Sequence, residues 1–118
     1  MTGEKVRSVI LNEANALVSG TRADDYGDAF INFTNIAQGW EVILGTEVTP
    51  AQVALMMGWV KTARLINFPD HRDSWVDLAG YAGLGGEVSA ISSGHVRANG
   101  AHDDKAFVKF NEEGYGEI

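Results

Sequence analysis

Three groups of side chains stand at spacings that could do chemistry. The first is Arg22, Asp24, Asp25, Tyr26, Gly27 and Asp28, which puts three carboxylates beside one cation in a short stretch. Carboxylates this close can hold a hard cation through oxygen, and Mg²⁺ held so would present phosphate groups to the site. The same residues also suit a solvated turn whose aspartates cap the following helix. The second group is Lys61 and Arg64, three apart and so on one face of a helix. Such a pair can grip phosphate, Arg by a two-pronged contact and Lys as a point charge; ordinary exposure or pairing with a carboxylate is the plainer use. The third group, Asp73, Asp77 and Tyr81, falls at i, i+4 and i+8 along one helical face. Like charges at that spacing repel unless a metal or a cation lies between them. Alternatively, Asp73 serves the positive end of the helix dipole and Asp77 pairs with Arg64. Glu13 and Glu41 could reach such an acidic centre, and both also read as surface residues.

Other chemistries find little support. Cysteine is absent, so there is no disulfide framework, thiolate metal site or cysteine nucleophile. His71, His95 and His102 lack ligand spacing such as HExxH, which argues against zinc. No GxSxG elbow occurs, and Ser92 has no recognisable base nearby. GLGGEV follows a helical pattern where a phosphate loop needs a strand, and it lacks GK[ST]. Asn32, Phe33 and Thr34 spell a glycosylation sequon inside a helical pattern. Nine Lys and Arg against 16 Asp and Glu give −7, a balance that disfavours a broad grip on DNA, RNA or an anionic membrane. The opening MTGEKVRSV is too polar for a signal peptide, and no apolar run approaches the roughly 18 residues of a membrane span. A cytoplasmic protein is the expectation.

The elements that must position these groups are helices. The length of 118 residues suits one domain, and 45% hydrophobic residues exclude a disordered composition. Thr2 caps a first helix in which Val6, Val9, Ile10, Ala14, Leu17 and Val18 form one buried face, with Gly20 as a left-handed stop. A second helix starts near Asp28, carries Phe30, Phe33, Trp40 and Leu44, and ends at Gly45. Thr49, Pro50, Ala51 and Gln52 stand in capping-box order at the start of a third, which runs to Pro69. Its apolar residues cover nearly every direction, which predicts a central helix or one shared with a second subunit. Asp70 is the expected cap of a fourth helix, where Gly80, Gly83, Gly85 and Gly86 imply close packing or an early end. Residues 1–91 are then expected to form a helical domain and 92–118 an irregular C-terminal extension, with AFVKF a short terminal strand or docking segment.

Taken in order, these residues resemble a known family. R-x-x-x-Y-G at Arg22, Tyr26 and Gly27, N-F at Asn32 and Phe33, Trp40, K-x-x-R at Lys61 and Arg64, and D-x-x-x-D-x-x-G-Y at Asp73, Asp77, Gly80 and Tyr81 are similar to a small MazG-like family of phages and bacteria. The resemblance runs from about Ile10 to Leu84. It implies an all-α nucleoside triphosphate pyrophosphohydrolase-like fold, assembled as dimers or tetramers, with Mg²⁺ on acidic residues for cleavage between the α and β phosphates. The usual metal signature of that superfamily, E-E-x-x-E followed by E-x-x-D on a later helix, is missing; the adjacent glutamates here, Glu112 and Glu113, lie in the tail.

The first function expected from the resemblance is a Mg²⁺-dependent pyrophosphohydrolase that rebuilds its metal shell from Asp28, Asp73, Asp77 and Glu13, with Asp73 and Asp77 catalytic. The alternative is a phage-encoded, non-catalytic nucleotide-binding protein that sequesters a nucleotide signal of host immunity. Either way the expected fold is an all-α four-helix bundle with an irregular tail, forming at least a dimer. Its expected pocket lies near the third and fourth helices and the Arg22–Asp28 turn. Lys61 and Arg64, with Arg22, would hold phosphates, and Tyr26 or Tyr81 the base or ribose.

Overall fold

The computed structural model describes residues 1–20 and 28–95. They form four helices: α1 (Gly3–Ser19), α2 (Ala29–Leu44), α3 (Pro50–Asn67) and α4 (Arg72–Ser92). No strand occurs among the described residues, so the all-α expectation holds for them. The AFVKF segment and most of the 92–118 extension lie outside the described residues. None of the four helices is long and apolar enough to cross a membrane.

Local chemistry sets most of the boundaries. Thr2 Oγ1 accepts from the Lys5 amide at 3.2 Å, and Asp28 Oδ1 from the Ile31 amide at 3.1 Å. Thr49 and Gln52 complete the expected box: Oγ1 of Thr49 accepts from the Gln52 amide, and Oε1 of Gln52 accepts from the Thr49 amide at 2.8 Å. Each such cap contributes about 1 kcal/mol by satisfying amides that the helix leaves open. Gly45 closes α2 with φ 70°, a left-handed conformation that a side chain would resist.

Two expected boundary features differ. Gly20 stands at φ −107°, so it stops α1 without a left-handed turn. The cap position of α4 is His71 rather than Asp70, and its side chain does not bond the open amides; its Nδ1 lies 2.6 Å from Oγ of the wholly buried Ser74.

The packing corrects the expectation of a central third helix. α4 is the element that packs on all three others, and α3 is its largest partner. The main core joins α2, α3 and α4 through Phe33, Val53, Leu84 and Val88, with Val48 entering from the loop before α3. Close approach explains why α4 can play this part. A Cβ on Gly85 would stand 3.0 Å from Cβ of Ala54, so glycine lets the two backbones come together there. A Cβ on Gly80 would meet Val18 of α1 at 3.4 Å, whereas Gly83 and Gly86 face open space, and the helix continues through all four glycines to Ser92.

α1 packs on α4, with Ala14 its one buried residue and Val18 against the main core. Its expected apolar face is only partly covered, since Val6 and Leu17 remain exposed. α3 buries one face, including Val53, Ala54, Gly58 and Leu65. Its other apolar residues face outward: Leu55 and Trp59 are each 69% exposed and Ile66 is 74% exposed.

Candidate functional site

Two residue rows define the edge of the α3–α4 pair that faces α2. On α3, Val53, Met57 and Lys61 follow at i, i+4 and i+8; on α4, Asp77, Tyr81, Leu84 and Val88 share one face. The apolar members of both rows pack into the core. Where the core ends, charge replaces it. Lys61 Nζ meets Asp77 Oδ2 at 3.0 Å, with side-chain exposures of only 16% and 25%. One turn inward, the Tyr81 ring lies 6.5 Å from Phe33 of α2, tilted by 33°.

The predicted residues thus separate. Lys61, Asp77 and Tyr81 come together. Asp77 pairs with Lys61 rather than with Arg64, which resolves the like-charge problem of Asp73 and Asp77 by giving one of them a cation. Arg64 is exposed in the last turn of α3, where its charge suits the helix dipole, and it makes no ion pair among the described residues. Asp73 is exposed in the first turn of α4, the dipole role foreseen as its alternative. Arg22 and Tyr26, with Asp24 and Asp25, lie outside the described residues.

Three of the four carboxylates expected to form a metal shell have other partners among the described residues. Asp28 is engaged as the α2 cap, and Asp77 holds Lys61. Glu13 accepts from Arg72, with Nε at 3.0 Å, and so ties α1 to α4. Glu41 Oε1 accepts from the Val48 amide at 3.0 Å, fixing the α2–α3 loop. No group of three His, Asp or Glu side chains among the described residues is placed to hold a metal, and no buried side-chain nitrogen or oxygen is left without a partner.

Sequence reasoning missed a groove on the opposite edge of the α3–α4 pair. It has a volume of about 460 Å³, with Leu55, Gly58 and Trp59 on one wall and Ala82, Gly85 and Gly86 on the other. Tyr81 also lines it, whereas Lys61, Arg64 and Asp77 do not. The signal was present in the spacing of small residues, Ala51, Ala54 and Gly58 on α3 and Ala82, Gly85 and Ser89 on α4.

A family model described as a domain of unknown function, DUF6378, matches residues 9–89. The chain belongs to the DUF6378 family. The matched span reaches from within α1 to within α4 and contains Lys61, Arg64, Asp73, Asp77 and Tyr81, so the charged edge and the groove both lie inside the DUF6378 domain. The chain is also similar to two phage proteins, each called Gene 55 protein. It is 46% identical to that of Mycobacterium phage L5 over 76 residues, 64% of this chain and 49% of the relative. The counterpart in Mycobacterium phage D29 is 42% identical over 74 residues, 63% of this chain and 49% of the relative. The chain therefore spans about half the length of the curated relatives it matches. No solved structure matches it.

Proposed function

We propose that this chain binds a phosphorylated nucleotide without cleaving it, as a MazG-like helical domain that works as an oligomer in the cytoplasm of a phage host. The observation that carries the reading is the half-buried Lys61–Asp77 pair. An ammonium group has three donors, so Asp77 occupies one and leaves two for phosphate oxygens. Because Asp77 already holds the long side chain, little of its rotamer freedom is left to lose on binding. Arg64, on the same side of α3, adds a two-pronged contact. Tyr81, beside Asp77 on its helical face, and Tyr26 supply flat rings for the base or ribose. Sequestration of a nucleotide signal needs no more than this, and similarity to phage proteins is consistent with such a role.

Pyrophosphate hydrolysis, the other activity that the resemblance implies, would draw on Mg²⁺, whereas Asp28 is engaged by the Ile31 amide and Asp77 by Lys61. The two activities separate in one experiment. The protein is incubated with linear and cyclic nucleotides, with and without Mg²⁺, freed of unbound ligand and denatured, and the released nucleotide is identified. Unchanged nucleotide is the expected product under both conditions. Mg²⁺-dependent release of pyrophosphate would overturn the binding-only reading and restore Asp73 and Asp77 as catalytic candidates. Retention of no nucleotide would defeat the reading altogether.

A further inference from the structure

We propose that the groove between α3 and α4 is the surface on which a second copy of this chain docks. The inference rests on the oligomeric reading above and gives it a location; Tyr81 is the residue that the groove shares with the proposed nucleotide site. Leu55, Trp59, Thr62 and Ile66 follow one another at spacings of four, three and four on α3, and Leu78, Ala82, Gly85 and Ser89 do the same on α4. That is the spacing with which helices present a continuous seam to other helices. Two parallel seams bordering one groove can accept the same pair of helices from a second molecule, giving four helices around a shared apolar centre.

The surface is also complementary to itself. A two-fold interface requires one patch to supply both the projections and the recesses that receive them. Here the projections are Leu55 and Trp59, each 69% exposed, and the recesses are Gly58, Ala82, Gly85 and Gly86 beside them. Charge points the same way. Two chains at −7 each repel over most of their surfaces, and no Asp, Glu, Lys or Arg lines this groove. The size is adequate. An 18-residue helix is about 27 Å long, and two helices side by side present a strip about 20 Å wide. The strip covers about 500 Å² per copy, or about 1,000 Å² for the pair, which is where specific interfaces begin.

The test is sedimentation of the 118-residue chain. Wild type should run near twice its 12.7 kDa mass. The Leu55→Glu, Trp59→Glu double variant should run as a monomer with the same helical circular dichroism, because both side chains project from the folded chain. A second double variant, Val42→Glu with Ile43→Glu, changes apolar residues that are 85% and 81% exposed on α2, away from the groove, and should leave the dimer intact. A monomeric wild type would defeat both this assignment and the oligomeric reading. A dimer that survives Leu55→Glu, Trp59→Glu, or one that dissociates only with the α2 variant, would defeat the groove assignment alone.

Discussion

The two edges of the α3–α4 pair differ in what ends them. Toward α2, the apolar rows run into Lys61 and Asp77, paired at 3.0 Å and largely out of water. On the opposite edge, large apolar side chains project over glycine and alanine with no charge along the groove. A charge kept out of water depends on its partner, so removing the partner costs the fold. An apolar side chain left in water contributes little to the lone chain, so its value lies in whatever covers it. The same two helices therefore carry one edge suited to an anion and another suited to a protein surface.

Substitutions can break this contrast. The largest effect is expected at Phe33, which is 2% exposed and joins α2 to Tyr81 on the charged edge. Phe33→Ala should lower unfolding stability by about 3–5 kcal/mol, read from urea denaturation. A loss under about 1 kcal/mol would mean that α2 does not anchor that edge. Lys61→Ala should cost about 1–3 kcal/mol, because Asp77 is left half-buried without its cation. A neutral result would place Asp77 in water and remove the reason for an ordered Lys61. The smallest effect is expected for Glu13→Gln. Its pair with Arg72 also ties a helix to α4, but the side chains are 41% and 62% exposed. The change should stay below about 1 kcal/mol and shrink as salt rises. A loss matching that of Lys61→Ala would erase the distinction between buried and exposed pairs on α4.

Helix positions were legible because their signals are local. Thr2, Asp28 and the Thr49–Gln52 box cap the helices that their types and spacing announce. Which helix lies at the centre was not legible. The apolar coverage of α3 looked like that of a buried helix, yet α4 holds the middle, with Gly80 facing Val18 of α1 and Gly85 facing Ala54 of α3. Periodicity records how apolar a face is and not whether this chain covers it. At the site, the helical spacing of Asp73, Asp77 and Tyr81 was correct. The partner of Asp77 depended on the register between α3 and α4, which selects Lys61 over Arg64 and which no one-helix pattern contains. Glu13 was likewise drawn away by Arg72, a residue 59 positions along the chain.

The central claim is that Lys61, held by Asp77, receives phosphate. Calorimetric titration of linear and cyclic nucleotides into wild type and Lys61→Ala tests it most directly, with circular dichroism confirming that the variant keeps its helices. Wild type should bind, and the variant should bind about 10–100-fold more weakly, the loss of one charge-assisted contact of about 1.5–3 kcal/mol. Equal affinity in the two proteins, or no binding by wild type, would contradict the account.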